Sequence, residues 1–304
     1  MRASIAAMLA ALALAPTVAL AQGAHDHAHD HGAPAAPAAA PARDPNLPAD
    51  EAGAKDALEH SPRHGEYYDV PMPGGGAPVR AWVVYPERAD KAPVVLVIHE
   101  IFGLSDWIRA VADQLARDGF IAVAPDLISG MGPNGGGTES MPGRDSVVAV
   151  IRRLTPPMAW ERLDAVREWA VALPSANGAC GTVGFCWGGA RSFDYAAERP
   201  ALGAAVVYYG GSPDSASLTR LRVPVLGLYG GDDARVNATI EPAKQVLAPL
   251  GRRYEPFLFD GAGHGFLRQQ AGREGANLKA TKDAWPRTVA FLRANLKAKQ
   301  AKSK

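Results

Sequence analysis

Two side chains able to act as nucleophile and base stand in glycine-rich settings. Cys186 lies in Gly184-Phe185-Cys186-Trp187-Gly188-Gly189, after the apolar run Thr182-Val183-Gly184-Phe185 and before Ala190–Ala197, which reads as a helix. A sharp strand-to-helix turn with small residues two positions either side of a nucleophile lifts that residue out on a strained backbone. The competing reading is a buried, unreactive cysteine in a glycine-rich strand end. His264 lies in Gly261-Ala262-Gly263-His264-Gly265-Phe266, where flanking glycines leave core packing as a poor explanation. Between them comes Gly230-Gly231-Asp232-Asp233-Ala234-Arg235-Val236, and either aspartate is a candidate acid or an ordinary turn residue. Cysteine alone is roughly a few per cent thiolate near neutral pH. An imidazole takes its proton, and a carboxylate fixes the tautomer and orientation of the imidazole. Spacing alone does not choose between Asp232 and Asp233.

A second cluster is His99-Glu100-Ile101-Phe102-Gly103, at the end of the apolar run Val94–Ile98. Backbone N–H groups after such a strand and after the nucleophile can hold a developing oxyanion, which assigns the amides of Ile101 and Trp187. Glu100 is a surface glutamate on the ordinary reading. Beside a thiol, its carboxylate raises the thiol pKa by like-charge repulsion and regulates the nucleophile.

The elements that must position these residues are strands alternating with helices. Val79–Tyr85 alternates like an edge strand, and Val94–Ile98 is apolar throughout, like a strand covered on both faces. A helix over 106–117, a strand over 120–124 and a glycine-rich loop over 129–143 follow. Helices over 145–154 and 158–173 lead to the Cys186 strand. Strands over 204–209, 225–229 and 254–259, a helix over 240–250 and a C-terminal helix over 278–296 complete the chain. This is an α/β protein, a mostly parallel sheet with helices on both faces, and each candidate residue falls on a loop beyond a strand's carboxyl end.

The 304 residues, 47% hydrophobic and 21% charged with net charge +1, describe an ordinary globular chain with no electrostatic call for nucleic acid. Residues 1–21 have a basic start, an apolar stretch and Ala19-Leu20-Ala21, as a secretory signal peptide does, with cleavage expected after Ala21. The mature protein is therefore expected to be periplasmic or secreted, with no membrane segment after cleavage. Residues 22–60 read as a disordered leader, first His25–His31, then an Ala/Pro repeat over 33–48, and residues 61–304 as one catalytic domain. The histidine tract is a possible metal tether. A rival reading is thus a non-catalytic exported module that binds metal there; the catalytic reading needs no metal and no cofactor. A redox pair of Cys180 and Cys186 is the other rival. Strand spacing sets their Cα atoms roughly 20 Å apart, beyond the about 7 Å a disulfide spans. Nothing in the sequence sets an oligomeric state, and a monomer is the default expectation.

Together these residues resemble the dienelactone hydrolase family, cysteine hydrolases of the α/β-hydrolase fold. The resemblance runs from about Tyr67 to the C-terminal helix and rests on the Glu100 and Cys186 motifs, Pro125-Asp126-Leu127, Tyr208-Tyr209-Gly210 and Gly263-His264-Gly265-Phe266. It implies hydrolysis of a small ester or lactone by a Cys186-His264-Asp233 triad. The family's Gly-x-x-Asp-x-x-Val pattern falls on Gly230, Asp233 and Val236, selecting Asp233 over Asp232. It also implies that Glu100 keeps the resting thiol protonated until substrate arrives. Of the two arginines that bind a substrate carboxylate in the family, one matches Arg268. The other has no match after Leu127, and Arg144, at the far end of the glycine-rich loop, is the one candidate to reach back.

Overall fold

Strand β3 (Ala92–Ile98) has no polar side, and the fold is built outward from it. Val94, Leu96 and Ile98 face one buried apolar layer, and Val95 and Val97 face the other. The computed structural model describes residues 43–298. Before β3 come β1 (Gly65–Val70) and β2 (Val79–Val84). After it come β4 (Ile121–Pro125), β5 (Ala176–Phe185), β6 (Ala204–Tyr208), β7 (Val225–Gly230) and β8 (Tyr254–Phe259). They form one sheet in the order β1-β2-β4-β3-β5-β6-β7-β8. β1 and β2 run antiparallel to their neighbours, and every other pairing is parallel. β4 flanks β3 on one side and β5 on the other, so the chain changes direction across the sheet at β3. In open α/β sheets the crevice at such a switch point is where chemistry collects.

Helices cover both faces. Trp107, Ile108, Val111 and Leu115 of α2 (Asp106–Arg117) pack on one side, with Trp285 and Leu292 of the C-terminal helix Ala276–Asn295. The Ser105 hydroxyl caps α2 by accepting from the Ile108 amide. On the other side lie Val147 and Ile151 of α3 (Arg144–Ile151), Leu163 and Val166 of α4 (Pro156–Val171) and Phe193 of α5 (Trp187–Glu198). The α/β expectation, with a mostly parallel sheet covered on both faces, holds throughout.

Three features differ from the sequence reading. Of the leader expected to be disordered over 22–60, the described part, from residue 43 on, is packed. Leu47, Ala49 and Ala54 are buried, and Ala54–Glu59 form a short helix, α1. Apolar contact and backbone hydrogen bonds hold this stretch, and an Ala/Pro-rich composition hides both. β1 is an edge strand whose Tyr67 and Tyr68 are exposed, so no alternating pattern marks it in the sequence. A short helix, Ser215–Arg220, lies outside the expected elements and is capped by the Asp214 carboxylate, which accepts from the Ser217 amide. The signal peptide expected over 1–21 and the histidine tract of 25–31 lie outside the described residues. Among those described, no helix is long and apolar enough to cross a membrane.

Candidate active site

The elbow forms because two glycines let backbones touch. A Cβ on Gly188 would lie 2.3 Å from the carbonyl oxygens of Ile98 and His99, and one on Gly184 would lie 2.0 Å from the Gly188 carbonyl oxygen. Any side chain there would force β3, β5 and α5 apart. Cys186 sits at the turn with φ 54° and ψ −113°, a left-handed conformation that costs a non-glycine residue about 1–3 kcal/mol. Its own amide donates to Tyr208 O at 3.0 Å, and its carbonyl accepts from Ala190, the first full bond of α5. The turn is thus clamped on both sides, and the thiol is half-buried rather than sealed in the core.

Burial, then the nearby Glu100 carboxylate, pushes the Cys186 thiol up to about 11. The Trp187 and Ile101 amides and the Arg235 guanidinium pull the other way. So the structure gathers Cys186, Glu100 and the amides of Ile101 and Trp187 into one place. The Trp187 indole stacks on the His99 ring, centroids 5.5 Å apart. His99 is fully buried and held through both ring nitrogens: Nδ1 lies 2.7 Å from Glu100 O, and Nε2 accepts from the Leu127 amide at 3.2 Å. Burial holds the imidazole pKa low, so it is a neutral brace for the strand end that carries Glu100 and Ile101.

The acid and the base meet from separate loops. With its proton on Nδ1, His264 donates to Asp233 Oδ2 at 2.6 Å. Asp233 Oδ1 accepts from the Val236 amide, capping the four-residue helix after β7, so the carboxylate is fixed from two directions. Asp232 points elsewhere and pairs with Arg273 at the surface, 3.1 Å away. His264 is thus paired with Asp233 and not with Asp232. Among the described residues no hydrogen bond joins the Cys186 thiol to His264. Tyr209 adjoins the pair: its ring centroid is 5.2 Å from that of His264, and burial, then the charges of Glu100 and Cys186, raise its phenol pKa. It too has positive φ, 40°, and its buried hydroxyl has no partner among the described residues. Tyr209 was not singled out as a site residue, although its place directly after β6 was the available signal.

Glu100 is buried, and loss of solvent pushes its carboxyl up to about 7. Arg268 opposes that shift: its Nε lies 2.7 Å from Glu100 Oε2. The N–H is not aimed along that line, so the pair is an ion contact rather than a hydrogen bond. Glu100 is therefore largely neutral below about pH 7 and charged above it. The sign for the thiol follows: an ionised Glu100 opposes thiolate, a neutral one does not. Glu100→Gln should alkylate with iodoacetamide faster than wild type above pH 7, with the two rates converging near pH 6. Equal rates across that range would remove Glu100 from control of the thiol.

The glycine-rich loop after β4, unreadable in sequence, is pinned rather than free. Thr138 donates through its amide and hydroxyl to Asp126 at 2.6 and 2.8 Å, and its hydroxyl accepts from the Leu104 amide at 3.1 Å. The loop ends at Arg144. Arg144 and Arg268 both place their guanidinium carbons over the Phe102 ring, at 4.8 and 5.2 Å from its centroid. Arg268 is thus brought to the site, and Arg144 does reach back. Cys180 and Cys186 are both free; burial in mid-β5 pushes the Cys180 thiol up to about 12.

The sequence profile of the dienelactone hydrolase family matches residues 79–296, most of the chain. The chain belongs to the dienelactone hydrolase family. A Salmonella typhimurium protein named "Putative carboxymethylenebutenolidase" is 33% identical over 238 residues, covering 73% of this chain and 84% of its own. A solved structure titled "Putative Dienelactone Hydrolase", from Klebsiella pneumoniae, has 29% identity and a TM-score of 0.66. It covers 76% of this chain and 98% of its own. The dienelactone hydrolase from Anabaena variabilis, at 22% identity and TM-score 0.57, shares the fold over 77% of this chain and 99% of its own. This dienelactone hydrolase family member is a hydrolase with the α/β-hydrolase fold.

Proposed function

We propose that the protein hydrolyses an ester or lactone bond of a small molecule through a covalent acyl-cysteine. The observation that carries this reading is a strained half-buried thiol at the elbow, beside two backbone amides, on the same sheet edge as a paired Asp233 and His264. Cys186 attacks the carbonyl carbon, and the proton of the thiol passes to His264. The amides of Ile101 and Trp187 hold the oxyanion of the tetrahedral intermediate. His264 then returns that proton to the leaving oxygen as the C–O bond breaks. A water, deprotonated by His264, attacks the thioester, and its collapse releases the acid and restores the thiol. Asp233 keeps the imidazole oriented and stabilises its charged form. Nothing in this sequence of steps calls on a metal or cofactor.

The signal-like residues 1–21 support a periplasmic or secreted enzyme, in which a resting thiol high in pKa resists oxidation better than a thiolate. One experiment reads both parts. The protein recovered from its exported compartment is mixed with an activated aryl ester, quenched within the first turnover and weighed. Gln22 as first residue and a single acyl group on a peptide containing Cys186 are expected. An unmodified Cys186 during turnover would rule out the acyl-enzyme, and an intact residue 1 would rule out processing.

A further inference from the structure

The segment before β1 lies against the loop that follows His264. The Glu51 amide donates to Arg268 O at 2.9 Å, the Gln270 side chain donates to Pro48 O at 2.9 Å, and the Trp107 indole donates to Ala49 O at 3.1 Å. Leu47 and Ala49 are buried beneath these bonds. So fixed, the strap delivers one carboxylate to the two arginines over Phe102. Glu51 Oε2 lies 2.5 Å from Arg268, and Oε1 pairs with Arg144. Burial raises the Glu51 pKa, but the hydrogen bonds and charges of Arg144 and Arg268 outweigh it and hold the carboxyl below its ordinary value. Glu51 is an anion at neutral pH. Arg268 also contacts Glu100, so two cations and two carboxyl groups form one row that ends beside Cys186.

A guanidinium pair stacked on one ring and converging on one carboxylate is a built anion site. Here its occupant is part of the chain. We propose that Glu51 is a specificity-determining residue: it fills the carboxylate position between Arg268 and Arg144, so the enzyme takes esters or lactones whose acyl portion is uncharged and rejects those bearing a carboxylate. The proposal rests on the Cys186 hydrolase reading above and adds the substrate class. An incoming carboxylate must either displace Glu51, losing two charge-assisted contacts, or sit beside it as a like charge.

Two matched esters test it: p-nitrophenyl butyrate, and the mono-p-nitrophenyl ester of glutarate, whose acyl chain ends in a carboxylate. Wild type should prefer the neutral ester. In Glu51→Gln, which keeps the backbone bonds of the strap, the charged-to-neutral ratio of kcat/KM should rise about tenfold or more, since the freed arginines regain a charged partner. Adding Arg144→Met should cancel that rise. A structural role alone would lower both rates together and leave the ratio still. Free glutarate supplies a readout that needs neither turnover nor a variant: calorimetry should show no binding to the wild type, and binding to Glu51→Gln. An unchanged ratio, or glutarate binding by the wild type that chloride competes away, would overturn the proposal. Butyrate-ester hydrolysis that survives Cys186→Ala would instead overturn the Cys186 acyl-enzyme reading, and the glutarate arm would still decide the role of Glu51.

Discussion

Cys186→Ala should lower kcat/KM for an activated aryl ester by about a thousandfold or more while the protein stays folded. The magnitude follows from losing the covalent route: once the nucleophile is gone, only the oxyanion amides and substrate binding still favour the reaction, and the members of such a triad act as a unit. The fold should tolerate the change, because the clamp on the elbow is made of backbone. The Cys186 amide to Tyr208 O and the Cys186 carbonyl to Ala190 bonds do not involve the side chain. Alanine keeps the same positive φ problem as cysteine, so the strain at 54° is unaltered. Rates are read with p-nitrophenyl acetate and folding by thermal melt. Hydrolysis at more than about a tenth of the wild-type rate, in a variant that melts as the wild type does, would refute a cysteine nucleophile.

Asp233→Asn should cost roughly a hundredfold to ten-thousandfold in kcat. The carboxylate accepts the Nδ1 proton at 2.6 Å and so leaves Nε2 free to act as base. An amide in its place can turn its NH2 toward Nδ1, which favours the tautomer with the proton on Nε2, unable to accept one. Asparagine caps helices about as well as aspartate, so the bond to the Val236 amide survives and stability should barely change. The adjacent Asp232→Asn is the control. Its carboxylate pairs with Arg273 at the surface, so activity should stay within about twofold. A larger loss from Asp232→Asn than from Asp233→Asn would reverse the assignment of the acid.

The contrast between those two neighbours shows where reading the sequence stops. Glycines at 184 and 188 announce the elbow, because only a missing Cβ permits backbones so close. The apolar run 94–98 likewise announces a strand covered on both faces, and the loops after the strands follow from that. Which of two adjacent aspartates turns toward His264 depends on the direction of one turn, and both compositions read alike. Tyr67 and Tyr68 lie on an edge strand facing water, so no periodicity marked β1. The strap was hidden for a different reason. It is tied down by the carbonyls of Pro48 and Ala49, which any residue would carry, and its one telling side chain, Glu51, meets partners 93 and 217 positions away.

The strap also bears on where the enzyme can be cut. The stretch matched by the family profile begins at residue 79, on β2. A version trimmed to that start would shed the outer strand and leave the Trp107 indole N–H and the Arg268 carbonyl without the groups they now engage. It would also strip away a resident counter-charge, so its preferences among esters would be those of a different catalyst. Surveys of this protein's chemistry should therefore start from a chain that retains Arg43 onward.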